Sequence, residues 1–395
     1  MKRNFSIYLL LAFMLGGFCL NAQDDLINKI KGNQSANAKF EFTKIIDLEN
    51  TSIKDQGSSG TCWSYSTVSF LESEMARIGK KPVDLAEMFI VRNQYIQKAE
   101  NYVRMHGGLL YGQGGAAHDV IKIYGQFGIV PQNVYTGLNY GTTRNNFNEL
   151  EAVLKGFLAP LVGDNVKMLT PVWKTAFTRI ADTYLGEVPE KFMYEGKEYT
   201  PKTFADQVVG LKAEDYVEFS SFTTSPFYKP TVLMVPDNWS FDMVYNVPID
   251  DLTAIVDYAL KNGYTITWGT DVSDRGFSWK NGVAYVLPMD YDAMSEEQKK
   301  DIFNGPQPEG KVTQEERQRQ FDNYQTTDDH GMQIVGLYKD QNGREYYKVK
   351  NSWGQRNDFD GYLFVTKNFL KLKTTDLLLH KGGVPKDLLK KCGIQ

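Results

Sequence analysis

The chain has 395 residues, 42% apolar and 23% charged, a composition that excludes a disordered or fibrous protein. That length can bury a large core divided into two or three lobes. A formal net charge of −4 argues against broad electrostatic attraction to nucleic acid, so no nucleic-acid partner is expected.

Residues 1–22 read as an export signal. Lys2 and Arg3 form a positive start, an apolar run follows, and Leu20-Asn21-Ala22 offers a cleavage end. The run from Ile7 to Leu20 is about 14 residues, short of the ~20 that a membrane span needs. The expectation is an exported protein, periplasmic or extracellular, with no stable span after cleavage. An uncleaved anchor is one alternative. A lipid on Cys19 is another, disfavoured by the bulky Phe18 before it. Cleavage leaves Cys62 and Cys392, too few for a disulfide scaffold. Cys392, in a Lys-rich tail, reads as an incidental thiol.

Residues 23–50 form a polar lead-in. Val68, Leu71, Met75 and Ile78 recur at helical spacing and predict a helix from Cys62 to Ile78, approached through Gly57 to Gly60. A second helix is expected over Leu85 to Val103. After glycine-rich turns at 107–108 and 112–115, a third runs from Ala116 to Phe127. Together 23–145 make a helical lobe. Residues 146–250 read as a mainly helical insertion, with helices at Leu150 to Leu161, Val172 to Tyr184 and Thr203 to Leu211. Residues 251–395 read as a β-rich lobe. It opens with a helix from Asp251 to Lys261 and continues with strands at Tyr264 to Trp268 and Gly282 to Val286. A charged stretch from Ser295 to Gln325 suggests exposed helices. Met332 to Tyr338 and Glu345 to Asn351 flank Asn342-Gly343 as a β-hairpin, and a further strand covers Gly361 to Thr366. The fold class is α+β.

Three separated motifs carry the chemistry. Gln56 precedes Cys62-Trp63, Asp329-His330-Gly331-Met332 lies far downstream, and Asn351-Ser352-Trp353-Gly354 follows. The hairpin brings Asn351 within a couple of ladder positions of His330, where its amide can fix the imidazole tautomer. Trp353 is placed to shield that hydrogen bond from water. A thiol at a helix start beside an imidazolium can fall from ~8.5 to a pKa of ~3–4. Cys62 is therefore the candidate nucleophile, His330 its acid–base partner and Asn351 the orienting group. Gln56 and the Cys62 N–H are candidate oxyanion donors. Gly114 and Gly115 could admit a substrate backbone. His106, His118 and His380 are rival bases lacking an Asn-Ser-Trp-Gly partner. Among His, Cys, Asp and Glu there is no zinc spacing, and no glycine loop precedes a phosphate-binding Lys.

At these residues the chain resembles the papain superfamily of cysteine peptidases, and within it the bleomycin hydrolase and aminopeptidase C branch. Further likenesses are Gly114-Gly115, the run Tyr124 to Pro131, and Trp268 to Val272. The resemblance implies a papain-like two-lobed fold with helical insertions and a cleft between the lobes. It implies that Cys62, His330 and Asn351 are catalytic, that Gln56 serves the oxyanion hole, and that Gly114 and Gly115 line the substrate. It also implies peptide substrates, N-terminal trimming through a thioester acyl-enzyme, no metal or organic cofactor, and a homo-oligomer, hexameric in that branch. Departures are Gly331 in place of Ala, a tail ending without the branch's full cleft-filling arm, and the export signal. The stretch before Cys62 is too short for a papain-type propeptide, so no zymogen step is expected. An endopeptidase with an open cleft is the alternative; an inactive peptide-binding relative is a more distant one.

Overall fold

The computed structural model describes residues 40–163 and 166–395. The expected export signal and Cys19 lie outside the described residues. Among the described residues no helix is long and apolar enough to cross a membrane.

Helices α1 (Cys62–Arg77), α2 (Glu87–Arg104) and α3 (Ala117–Phe127) build the helical lobe, close to the ends that periodicity predicts. Helices α4 (Asn148–Leu158) and α5 (Val172–Leu185) pack onto the same core through Leu150, Leu154, Phe177 and Leu185. A one-turn helix, Pro201–Phe204, continues as a π-turn over Ala205–Val209, where sequence periodicity suggests a longer helix.

The insertion is not mainly helical beyond that point. Strands β2 (Tyr216–Ser220), β3 (Lys229–Val232) and β4 (Met243–Asn246) enter the large sheet, and the lead-in contributes β1 (Phe42–Asp47). Helix α6 (Ile249–Lys261) precedes β5 (Ile266–Thr270), β6 (Phe277–Ser278) and β7 (Val283–Ala284). The charged stretch holds two short helices, α7 (Glu296–Asp301) and α8 (Gln314–Asp322). The hairpin is β8 (His330–Asp340) and β9 (Glu345–Lys350), turned at Gly343 with φ +86°. Strand β10 (Tyr362–Thr366), helix α9 (Lys367–Lys373), strand β11 (Thr374–His380) and helix α10 (Lys386–Cys392) complete the chain.

The sheet has 11 strands in the order β3-β4-β2-β11-β5-β8-β9-β10-β7-β6, with β1 added to β8. Strand β8 is long enough to pair β5 along its first half and β1 along its second, with β9 on the other edge. A second core, separate from the helical one, fills the sheet side with Trp268, Met332, Tyr347, Trp353 and Leu377. The result is an α+β fold of two lobes.

Helix α1 lies where the lobes meet. Its Val68, Leu71 and Met75 face the helical core. Its Ser69 and Ser73 instead hydrogen-bond Gln333 of β8, at 2.7 and 2.9 Å. The polar side chains with which α1 and β8 meet here are therefore paired with one another, which spares them the cost of unpaired burial.

Candidate active site

The loop before α1 is shaped by close approaches. Gly57 adopts φ +69°, and a Cβ there would collide with the Asn145 backbone. Gly60 N–H donates to the Gln113 side chain at 2.6 Å, and Trp63 Nε1 donates to the Gln113 carbonyl at 3.1 Å. This loop is also tied to the segment after β9. Gln56 N–H donates to the Ser352 carbonyl at 2.8 Å, and the Ser352 hydroxyl donates to Gln56 Oε1 at 2.6 Å. Two motifs almost 300 positions apart are thereby joined side by side.

His330 and Asn351 meet as the hairpin register requires, since Gln333 pairs with Lys350. His330 Nε2 lies 2.7 Å from Asn351 Oδ1. As Nε2–H donates to that amide oxygen, Nδ1 is left as the nitrogen that can accept a proton. The Trp353 ring packs against the imidazole, with centroids 4.5 Å apart. Trp353 is itself fully buried beside Trp279 and Phe277, so it closes the site's inner wall against water.

Cys62 and His330 line one cavity of about 380 Å³, together with Gly114, Gly115, Thr267 and Gly331. Helix and strand touch closely here. A Cβ on Gly331 would lie 2.9 Å from Ser66 Oγ and 3.3 Å from Trp63 Cα, which accounts for glycine at this position. Burial pushes the Cys62 thiol up to about 12. The Gly331 N–H is the largest opposing influence, while Asp237 and Asp328 push the thiol further up. This is opposite in direction to the expected strongly depressed thiol, because desolvation and the nearby carboxylates favour the protonated form.

Gln56 is fully buried and does not line this cavity. Its Nε2 donates to the Ser59 carbonyl at 2.6 Å, which leaves one amide hydrogen for any other acceptor. Gly114 and Gly115 do line the cavity, but the space above them is taken by the chain's own atoms. A Cβ on Gly114 would overlap the Asp237 carboxylate, and one on Gly115 would lie 2.6 Å from Gln94 and 2.9 Å from Trp63.

The rival histidines stand elsewhere. His118 Nδ1 is 2.7 Å from Glu218. Burial lowers the imidazole most, but the charge and hydrogen bond of Glu218, with the charges of Asp119 and Asp242, together hold it up to about 10. His118, Asp119 and Asp242 approach one another closely enough to suggest a cation site. However, the imidazolium and Lys122 already neutralise that cluster. His380 accepts from Gly382 N–H at 2.9 Å on the far end of β11. Cys392 packs into the sheet-side core as a free thiol.

Sequence reasoning missed the acids that surround Cys62. Asp237, Asp328, Asp329 and Asp376 come from separate loops and β11 to line the cavity. Asp329 is committed to its own loop, accepting from Ser273 N–H at 3.1 Å and Thr327 Oγ1 at 2.6 Å. Asp271 braces the same turn. Isolated acids carry no motif, so only the fold could reveal their convergence.

Comparison with known proteins agrees with this geometry. Residues 111–394 match the model of the Peptidase C1-like family, and residues 39–153 match that of the papain family of cysteine proteases. Aminopeptidase G of Lactobacillus delbrueckii subsp. lactis is 23% identical over 86% of this chain and 83% of its own length. Aminopeptidase C of Streptococcus thermophilus is 23% identical, over 90% of this chain and 86% of its own. Mitochondrial cysteine proteinase 1 of Saccharomyces cerevisiae is 21% identical, over 94% and 83%. The crystal structure of PepW from Lactobacillus rhamnosis superposes with a TM-score of 0.70 at 19% identity, covering 94% of this chain and 91% of that one.

Proposed function

Because the chain belongs to the Peptidase C1-like family, we propose that this cysteine peptidase removes N-terminal residues from peptides through a thioester on Cys62. One observation carries the reading. Cys62, at the start of α1, shares a cavity with His330, whose other nitrogen is fixed by Asn351. In the proposed cycle the Cys62 proton moves to His330 Nδ1 as sulfur attacks the peptide carbonyl. The Cys62 N–H and the remaining Gln56 amide hydrogen serve the oxyanion. The imidazolium then protonates the departing amine, leaving an acyl thioester. Water, deprotonated by His330, releases the N-terminal residue as a free acid and restores the thiol.

Trimming of N-termini is supported by the names of the relatives and by the crowding over Gly114, which shortens the cleft. The test compares a peptide bearing a free N-terminus with its N-acetylated form. The free peptide should be cleaved at least tenfold better by kcat/KM, and the C62A variant should cleave neither. Equal cleavage of both peptides by the unaltered enzyme favours an endopeptidase instead.

Two further readings rest on sequence. The Lys2-Arg3 start and apolar run support export, and N-terminal sequencing of secreted material should begin after Ala22. Family membership supports a homo-oligomer, for which light scattering should give several times the mass of one chain. A first residue of Met1 in the mature protein, or a monomer mass, contradicts the respective reading.

A further inference from the structure

The cavity that holds Cys62 is lined by more negative charge than its neighbours neutralise. Asp237, Asp328 and Asp376 all line it. Asp237 belongs to the turn between β3 and β4, Asp328 to the segment before β8, and Asp376 to β11. Two cations face the three carboxylates. Lys98 Nζ pairs with Asp237 at 3.9 Å while donating its hydrogen bond to the Gly114 carbonyl at 2.8 Å. The His118 imidazolium acts on Asp328 and Asp376 but is shared with Glu218, 2.7 Å away. Asp376 accepts from the Thr375 hydroxyl at 2.9 Å and also lies against the Glu218 carboxyl, so this group of acids outnumbers its cations.

A second, independent feature points to a ligand in the same place. Thr267 of β5 lines this cavity, is 2% exposed, and its hydroxyl has no hydrogen-bond partner among the described residues. A buried hydroxyl is rarely left unpaired, so an unfilled polar position faces the cavity. Position adds direction. Asp237 sits directly over Gly114, and the space over Gly115 is walled by Gln94 and Trp63. On this side of Cys62 an extended peptide would run into the chain's own carboxylate after a short distance. The turn that carries Asp237 therefore does two things at once: it ends the cleft and presents charge at its end.

We propose that Asp237, assisted by Asp328 and Asp376, binds the α-ammonium group of the substrate, so that an internal loop fixes cleavage relative to the N-terminus. This rests on the aminopeptidase reading above and names the group that enforces it. The chain's last residues do not supply the charge. Val384, Leu388 and Cys392 pack in the sheet-side core, and none of residues 381–395 lines the cavity. Burial raises all three carboxylates, and for Asp328 the charges of Asp237 and Asp376 add to the effect. A bound ammonium relieves that repulsion and adds N–H donors to these oxygens.

The test uses the full-length protein, a peptide with a free N-terminus, and the same peptide N-acetylated. The unaltered enzyme's preference is measured first; if there is none, the aminopeptidase reading fails and the anchor with it. Given a preference, D237N should raise KM for the free peptide by about tenfold or more, the scale of one charge-assisted hydrogen bond, while cleavage of the acetylated peptide is kept or improved. D328N should act in the same direction and more weakly. A preference retained in both variants overturns the proposal while leaving the aminopeptidase reading intact. So does an equal loss on both peptides, which marks Asp237 as structural. Thermal melts of both variants accompany the kinetics. If D237N does not fold, D328N and a des-amino peptide on the unaltered enzyme decide, the latter expected to bind as poorly as the acetylated one.

Discussion

Gly331 shows how one missing side chain can set how closely a strand approaches a helix. It follows His330 on β8 and lies against α1, where Ser66 Oγ and Trp63 Cα leave no room for a methyl group. The G331A substitution should push β8 off α1 and displace His330 from Cys62. A misplacement of this kind costs about 10²-fold in rate, to be read as kcat/KM. Shortening Ser66 in the double variant S66A/G331A should recover part of that loss; no recovery would place the defect elsewhere. The sequence marked Gly331 only as a departure from its relatives. It could not supply the reason, because the neighbour that forbids a Cβ belongs to a helix far away in the chain. His330, Asn351 and Trp353 were legible for the opposite reason. A tight hairpin makes their meeting a local matter of ladder register. Gln56 was legible as a residue but less so in its surroundings, since its bonds to Ser59 and Ser352 depend on how the loop closes.

At the scale of elements, helices α1 to α3 followed from apolar spacing and glycine stops, whereas β2 and β11 did not. Both are buried strands inside the sheet, and each mixes polar with apolar residues over a length too short for periodicity to mark it. The lead-in also gained a role that no pattern announced. Lys54 reaches Glu72 of α1 at 3.2 Å and Glu87 of α2 at 2.5 Å, fastening the nucleophile loop to both helices. Both carboxylates are buried. K54M should therefore strand two buried charges and cost about 3–5 kcal/mol in unfolding free energy by chemical denaturation. A loss below 1 kcal/mol would show that water reaches the pair ~ as it does at the surface.

For the whole molecule, the question is what holds the two lobes together around the cavity. The polar face of α1 against Gln333 is one tie, and His118 of α3 against Glu218 of β2 is another. The imidazole is raised from an ordinary value near ~6.5 to about 10. A raised folded value means the native state binds the proton more tightly. The pair's contribution is therefore complete below pH ~6.5 and is lost as pH rises through about 10. E218Q should flatten the fall in melting temperature across that window, and an unchanged slope would remove His118 from the account.

The central claim is that the Cys62 thiol forms the acyl-enzyme. Alkylation with iodoacetamide, followed by peptide mapping and assayed on a free-N-terminus peptide, tests it most directly. Neither Cys62 nor Cys392 is held in a disulfide among the described residues, so the map must separate the two. Activity should disappear in proportion to the fraction of Cys62 modified, whatever the state of Cys392. Undiminished hydrolysis with Cys62 fully alkylated would contradict the thiol mechanism.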